Sequence, residues 1–88
     1  MKKVIIYSTL TCPYCIKAKQ LLESKGVDYQ EVRIDKHPEL VAEVIEKSNG
    51  QKTVPQIFIG DYHVGGCDDL YAFDKDSRLD SLLGITSP

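Results

Sequence analysis

Apolar residues follow two different spacings along this chain, and the alternation between them predicts strands separated by helices. Residues 3–8, with the sequence Lys3-Val4-Ile5-Ile6-Tyr7-Ser8, form an almost continuous apolar and β-branched run. Such a run predicts a strand that is covered on both faces and is therefore central in its sheet. Residues 27–34 alternate with a period of two, which predicts a strand covered on one face only. Two strands joined by one helix form a right-handed parallel unit.

Two helices are predicted on either side of the second strand. The first runs from Pro13 to about Lys25 and is ended by Gly26. Its predicted apolar contacts are Ile16, Ala18, Leu21 and Leu22. The second opens at His37-Pro38 and ends at Asn49-Gly50, and we expect His37 to be exposed and without a functional role. The predicted apolar face of this helix consists of Leu40, Val41, Val44 and Ile45.

A β-hairpin is predicted in the second half of the chain. Residues 55–59 and 62–64 flank Gly60-Asp61, which is typical of two strands joined by a two-residue turn. Pro55 cannot donate a hydrogen bond to a strand ladder, so we place it at the first residue of its strand. His63 alternates with its neighbours, and we expect a surface strand residue rather than a ligand. Gly65-Gly66 then ends the second strand.

Two more helical segments are predicted near the end of the chain. Asp68-Asp69 open a third helix, and a short helical turn follows it. These segments are predicted to pack through Leu70, Tyr71, Phe73, Leu79, Leu82 and Leu83. The helices then cover both faces of a small mixed sheet, which predicts an α/β protein. The chain has 88 residues, and we expect one domain over residues 1–88.

Composition excludes several classes of function. The hydrophobic fraction is 42%, the charged fraction is 27% and the net charge is −2, so no basic field attracts nucleic acid or an anionic membrane. No segment approaches the about 20 apolar residues of a membrane helix. The apolar run after Met1-Lys2-Lys3 is too short for a signal peptide. We therefore expect a cytoplasmic protein, in which a cysteine pair is more often catalytic than structural.

The segment Thr11-Cys12-Pro13-Tyr14-Cys15 is the candidate for chemistry, because it lies between the first strand and the first helix. Pro13 suits the first helical position, since its φ is helical and its missing N–H would be unpaired there. Cys12 then falls at the N-cap and Cys15 at the third helical position. An N-cap side chain accepts a hydrogen bond from the second or third helical amide, here that of Tyr14 or Cys15.

This position favours the thiolate of Cys12. A helix N-terminus carries roughly half a positive charge, and thiols there have pKa values lowered from about 8.5 to between about 3.5 and 7.5. We therefore predict that Cys12 attacks and that Cys15 resolves. A disulfide across so short a loop gains little from loop closure and opens easily, which suits turnover.

A Cys-x-x-Cys pair has two other uses, a zinc site and a structural disulfide. A structural zinc site takes four ligands, usually from two such pairs. This chain has three cysteines and two histidines, and neither histidine lies in a second ligand pair. The position of the pair at a helix start after a strand favours redox chemistry over both alternatives.

Three segments together resemble the dithiol glutaredoxins, in particular the short bacterial members. They are Thr11-Cys12-Pro13-Tyr14-Cys15, Thr53-Val54-Pro55-Gln56-Ile57-Phe58-Ile59 and Gly65-Gly66-Cys67-Asp68-Asp69. The resemblance covers nearly the whole chain and implies a thioredoxin-like fold, with a four-stranded mixed sheet of order 2-1-3-4 flanked by helices. It also implies a glutathione-dependent thiol–disulfide oxidoreductase that reduces protein–glutathione mixed disulfides and protein disulfides through Cys12 and Cys15.

The resemblance implies glutathione-binding roles for Tyr14, Thr53, Val54, Pro55, Gly66, Cys67 and Asp68. It implies a cis peptide bond before Pro55, beside the active cysteine, and pairing of the Val54 backbone with the extended backbone of glutathione. The amides of Cys67 and Asp68 would bind the γ-glutamyl carboxylate, and the Asp68 carboxylate its ammonium group. Asp68 is also a favourable first-turn residue on its own account. Tyr14 is either a wall of the groove or an exposed aromatic side chain.

Two positions depart from the family. Thr9 stands where a lysine is common, and Gln51 stands where a basic residue is frequent. Such basic groups help to hold the glycyl carboxylate and to stabilise the thiolate, so their absence bears on both the affinity for glutathione and the pKa of Cys12. Lys17 and Lys52 are candidates to compensate. Cys67 resembles a non-catalytic cysteine of the family, either oxidisable or simply filling space.

The resemblance also implies partners. Glutathione is the expected co-substrate, with no metal, and the expected partners are glutathionylated proteins and, as a family expectation only, ribonucleotide reductase. We expect a monomer. The alternatives are an electron donor that depends on thioredoxin reductase, and two chains that hold an iron–sulfur cluster through Cys12 and two glutathiones.

Overall fold

A four-stranded sheet forms the centre of the computed structural model, which describes residues 3–76 and 78–84. The strands are β1 (Val4–Ser8), β2 (Gln30–Arg33), β3 (Gln56–Ile59) and β4 (Tyr62–Gly65). Their order is β2-β1-β3-β4, with β1 parallel to β2 and the other pairs antiparallel. The predicted mixed sheet of order 2-1-3-4 is confirmed, and so is the predicted thioredoxin-like fold.

Strand β1 is central, as its apolar run predicts. It pairs with β2 from Ile5 opposite Gln30 and with β3 from Val4 opposite Ile59. Four of its five residues are buried. Alternate side chains of β1 therefore enter two different cores, one on each face of the sheet.

Four α-helices surround the sheet in the described part of the chain. They are α1 (Pro13–Ser24), α2 (Val41–Lys47), α3 (Cys67–Lys75) and α4 (Arg78–Leu83), and a 3₁₀ turn, Pro38–Leu40, precedes α2. None of the described helices is long and apolar enough to cross a membrane.

The two faces of the sheet carry cores of unequal size. The larger core, on the side of α1, α3 and α4, contains Val4, Ile6, Ala18, Leu22, Val27, Ile57, Ile59, Val64, Cys67, Leu70, Leu79 and Leu83. The smaller core, on the side of α2, contains Tyr7, Val44 and Phe58, with Ile5, Val32 and Ile34 packed against it. The larger core fixes α1 and α3 on the same face, and residues from the N-terminus of each helix line one cleft.

Strand β2 is shorter than the predicted 27–34. The amide of Val27 donates to the carbonyl of Leu22, and the amide of Gly26 to that of Glu23. Gly26 has a φ of +68° and ends the helix as predicted. Because the backbone at Val27 still completes the helix end, it is not available to the strand ladder.

Two predicted apolar contacts are wrong. Ile16 is 50% exposed, because the inward stripe of α1 follows Cys15, Ala18 and Leu22 at spacings of three and four residues. Tyr71 is 41% exposed, and its hydroxyl donates to the carbonyl of Lys17 at 3.2 Å. This bond joins α3 to α1 from outside the core.

Candidate active site

Cys12 and Cys15 are joined by a disulfide at the N-terminus of α1, with their Cα atoms 5.1 Å apart. Cys12 is the N-cap with extended backbone, and Pro13 is the first helical residue, as predicted. Of the two predicted donor amides, that of Cys15 makes the bond to the Cys12 Sγ, at 3.0 Å. Cys12 is 6% exposed and Cys15 is 1% exposed, so Cys12 is the more accessible residue of the oxidised pair.

The loop before Cys12 is anchored to strand β2 and the residues after it. The Leu10 amide donates to Asp35 Oδ2 at 3.2 Å, and Arg33 donates to both oxygens of the same carboxylate at 2.8 and 2.6 Å. The hydrogen bond from Arg33 is the main reason that the pKa of Asp35 lies well below its usual range. A charged Asp35 therefore holds the chain that leads into the N-cap.

A cleft of about 230 Å³ lies beside this helix terminus. It is lined by Tyr14, Gln51, Thr53, Val54, Pro55, Gly66, Cys67, Asp68 and Asp69. The structure thus brings together every residue that the resemblance implies for glutathione binding, from three separate parts of the chain. Tyr14 lines the cleft and is also 59% exposed, so the two alternatives for this residue, a cleft wall and an exposed aromatic side chain, both hold.

The first wall of the cleft is the loop before β3. The Val54–Pro55 peptide bond is cis, which confirms that prediction. Behind this loop, the side chain of Gln56 is fully buried, and its Nε2 donates to the Thr53 carbonyl at 2.9 Å and to Gln51 Oε1 at 3.1 Å. The Oε1 of Gln56 lies 2.7 Å from Nε2 of His63 on β4.

The opposite wall is the N-terminus of α3, where Gly66 is the N-cap. The amide of Gly66 donates to Asp69 Oδ2 at 3.0 Å, so Asp69 caps the helix from its third position. A Cβ on Gly66 would meet the Pro55 carbonyl at 3.5 Å, which shows how close the two walls approach.

Cys67 is the first residue of α3 and the free thiol of the described chain. Its side chain is buried in the larger core. Burial raises the pKa of this thiol, the charge of Asp68 raises it further, and Lys17 opposes both. The thiol is therefore held protonated, which fits the non-catalytic cysteine of the resemblance.

The cleft has little positive charge. Among the described residues that line it there is no lysine or arginine, whereas Asp68 and Asp69 are both exposed there. Gln51 does line the cleft, in place of the basic residue frequent in the family, and Lys52 beside it is exposed. The side-chain amide of Gln51 can donate to a carboxylate, but it adds no positive charge to the cleft.

The sequence did not predict three contributions to this site. The capping role of Asp69 could have been predicted from the Gly-x-x-Asp spacing at the start of α3, which is typical of a capped helix. Gln56 belongs to the segment of residues 53–59 that resembles the family, but no role was predicted for it. His63 was expected on the surface but is half-buried against Phe58, and no local pattern indicates its bond to Gln56.

No group of three or more histidine, cysteine, aspartate or glutamate side chains in the described ranges is arranged to hold a metal ion. The two sulfurs of Cys12 and Cys15 are bonded to each other.

Comparisons with known proteins match both the sequence and the fold. The family model Glutaredoxin matches residues 4–64. A glutaredoxin of Pseudomonas aeruginosa is 59% identical over 83 residues, which are 94% of this chain and 98% of that protein. The solution structure of a glutaredoxin from Brucella melitensis has a TM-score of 0.84 at 51% identity and covers 100% of this chain and 95% of its own. The crystal structure of a buckwheat glutaredoxin–glutathione complex has a TM-score of 0.87 at 31% identity. The match covers 94% of this chain and 77% of that chain.

Proposed function

The chain belongs to the glutaredoxin family of glutathione-dependent thiol–disulfide oxidoreductases, and we propose that Cys12 is its attacking thiol and Cys15 its resolving thiol. The observation that carries this assignment is the hydrogen bond from the Cys15 amide to the Cys12 Sγ at the N-cap of α1. A helix amide aimed at a sulfur stabilises its anion, and the thiolate is the nucleophile. The greater exposure of Cys12 supports the same order of roles.

The main reaction is the reduction of a protein–glutathione mixed disulfide. The Cys12 thiolate attacks the glutathione sulfur, a new Cys12–glutathione disulfide forms, and the target protein leaves as a thiolate that takes up a proton. The thiolate of a second glutathione then attacks the glutathione sulfur on Cys12. Oxidised glutathione leaves, and the Cys12 thiolate is restored.

Protein disulfides require Cys15. The Cys12 thiolate opens the target disulfide and becomes bonded to one of its sulfurs. The Cys15 thiolate then attacks Cys12, which releases the target as a dithiol and forms the Cys12–Cys15 disulfide. Two glutathiones reduce this disulfide in turn and become oxidised glutathione.

Glutathione binds in the cleft beside α1, lined by Tyr14, Thr53, Val54, Pro55, Gly66, Cys67 and Asp68. We assign its peptide backbone to the backbone of Val54, in the manner of an added strand. The amides of Cys67 and Asp68 take the γ-glutamyl carboxylate, and the carboxylate of Asp68 takes the neighbouring ammonium group. Gln51 takes the glycyl carboxylate through its amide. The support for this arrangement is that all these residues line one cleft.

We infer that the targets are glutathionylated proteins and proteins with a reducible disulfide, with ribonucleotide reductase as one candidate. We further infer one domain over residues 1–88, acting as a monomer in the cytoplasm, with glutathione as co-substrate and without a metal. Glutathione is favoured over thioredoxin reductase as the electron source, because Asp68 can meet its ammonium group and the amides of Cys67, Asp68 and Gln51 can meet its carboxylates.

Serine variants of the two cysteines test the assignment. Cys15→Ser keeps the reduction of a glutathione mixed disulfide, because that reaction needs only Cys12, and it loses the reduction of protein disulfides. Cys12→Ser abolishes both, because the nucleophile is gone. The measurement is turnover with glutathione as the reductant, with thioredoxin reductase as the comparison. Activity that survives in Cys12→Ser would refute the assignment.

A further inference from the structure

We propose that His63 is a positioning residue for glutathione binding, acting through Gln56 on the wall of the cleft formed by Gln51 and Thr53. The inference rests on the proposed assignment of that wall to glutathione. His63 itself is not among the residues that line the cleft. Its influence on the ligand is therefore indirect, through one buried amide.

The direction of the hydrogen bonds follows from what each group can do. A backbone carbonyl only accepts, so the atom of Gln56 that lies 2.9 Å from the Thr53 carbonyl is its NH₂ group. The other end of the Gln56 amide is then the oxygen, 2.7 Å from His63 Nε2. An amide oxygen only accepts as well, so His63 Nε2 carries the proton and donates.

The same argument orients Gln51. Its Oε1 lies 3.1 Å from Gln56 Nε2, which donates to it. The oxygen of the Gln51 amide is thus engaged behind the cleft, and its NH₂ end is the one left for a ligand. Because Gln51 lines the cleft, this places a donor rather than an acceptor where a carboxylate is to be bound.

Burial makes Gln56 depend on His63. The Gln56 side chain is fully buried, and no buried polar side-chain atom in the described ranges lacks a partner. Without His63, the Gln56 oxygen would lose its donor in a place that water does not reach. A rotated amide would instead set its oxygen against the Thr53 carbonyl and the Gln51 oxygen, three acceptors together. Either outcome loosens the wall that faces glutathione.

The position of His63 is itself well defined. It lies opposite Phe58 in the β3–β4 pair, and the two rings stack with centroids 4.9 Å apart and planes 31° from parallel. Phe58 in turn belongs to the smaller core, with Tyr7 and Val44. The smaller core is thus connected to the Gln51 and Thr53 wall of the cleft through one imidazole and one amide.

The substitution that isolates this role is His63→Phe, which keeps a ring against Phe58 and removes the donor. We expect the KM for the mixed disulfide of glutathione and cysteine to rise about tenfold, with kcat changed less than about twofold. The rate of Cys12 alkylation by iodoacetamide in the reduced protein should stay the same, since that reaction uses no glutathione site. A general loss of structure would change all three quantities together.

Two further variants sharpen the result. His63→Gln retains an N–H donor at the end of a side chain of similar reach and should restore most of the KM. Gln56→Glu still accepts from His63 but cannot donate to the Thr53 carbonyl, so it should raise KM at least as much as His63→Phe. The matched control is His37→Phe, the same exchange at the exposed histidine, whose KM should stay within about twofold of the unmodified protein.

The proposal is overturned if folded His63→Phe leaves KM within twofold, if His63→Gln fails to restore it, or if Cys12 alkylation slows in proportion. Should His63→Phe fail to fold, His63→Asn, whose amide is too short to reach Gln56, provides the same comparison. Absence of mixed-disulfide turnover in the unmodified protein would instead overturn the proposed function and this inference with it.

Discussion

The two helix N-termini at the active site look alike but perform different tasks. Helix α1 begins with Cys12 as its cap and has no acidic residue in its first turn. Helix α3 begins with Gly66 as its cap, followed by Cys67 and then two acidic residues. Both helices therefore place a cysteine within one position of their first amides, yet of these two sulfurs it is that of Cys12 that accepts a hydrogen bond from a helix amide.

One position along the helix makes this difference. At the N-cap, the sulfur of Cys12 lies over the end of α1 and accepts from the Cys15 amide. At the first helical position, the side chain of Cys67 turns back into the larger core. A helix dipole acts on the groups placed at its axis end and falls off within a turn. The Cys15 amide of α1 is consequently directed at a sulfur, and we propose that the first amides of α3 serve the ligand.

The largest expected effect on this arrangement comes from Gly65→Ala. Gly65 has a φ of +114°, and a Cβ there would lie too close to Asp69 Oδ2, which caps α3. Backbone strain of about 1–3 kcal/mol and loss of the cap at about 0.5–2 kcal/mol should together lower the free energy of unfolding by about 3 kcal/mol. Urea unfolding followed by circular dichroism measures this loss.

The matched control is Gly50→Ala. Gly50 also has a positive φ, +89°, but a Cβ there meets nothing within 4 Å in the described part of the chain. This control should cost only the backbone strain of about 1–3 kcal/mol. Equal losses in the two alanine variants would mean that the close approach of Gly65 to Asp69 contributes nothing to the start of α3.

The next largest effect is expected for Asp68→Asn, which tests the proposed contact between the start of α3 and glutathione. Removing the carboxylate charge should raise the KM for the glutathione–cysteine mixed disulfide about tenfold, because a charge-assisted bond to the γ-glutamyl ammonium becomes a neutral one. The value of kcat should change little, since Asp68 takes no part at the sulfur. Asp68 is exposed, so the difference in KM should shrink as salt is added.

Asp76→Asn serves as the control for Asp68→Asn. It removes the same charge from the C-terminal cap of the same helix, about 12 Å away along its axis. Its KM should stay within about twofold of the unmodified protein. A similar rise in both variants would indicate a response to net charge and not a contact between Asp68 and the ligand.

Local physics explains which features the sequence predicts. The N-cap position of Cys12 follows from Pro13, and the end of α1 follows from Gly26, because both depend on the conformation of one or two residues. The central position of β1 follows from its apolar run. The members of the cleft and the cis bond before Pro55 followed from the resemblance to a family, and local pattern alone did not indicate them.

The features that the sequence missed depend on contacts between distant segments. His63 and Gln56 lie on neighbouring strands and share a partly buried hydrogen bond that no spacing within one strand reveals. Ile16 has an apolar side chain but lies off the inward stripe of α1. Such positions are decided by register and by the direction of the helix face, both of which depend on tertiary packing.

The smallest expected effect is at Cys67 and tests the contrast between the two thiols directly. Burial and then Asp68 raise the pKa of this thiol, so it stays protonated and unreactive to a higher pH than an ordinary cysteine. In the oxidised protein, where Cys12 and Cys15 are bonded, the pH midpoint of iodoacetamide alkylation at Cys67 should lie above that of the same residue in urea. Mass spectrometry of the alkylated peptide measures both.

The neighbouring charges set the sign of two further shifts in that midpoint. Asp68→Asn removes a negative charge that favours the protonated thiol, so the midpoint should move down. Lys17→Gln removes a positive charge that favours the thiolate, so the midpoint should move up. A midpoint in the folded protein at or below the value in urea would mean that α3 activates its cysteine as α1 does. The one-position difference between the N-cap and the first helical residue would then fail to separate the two thiols.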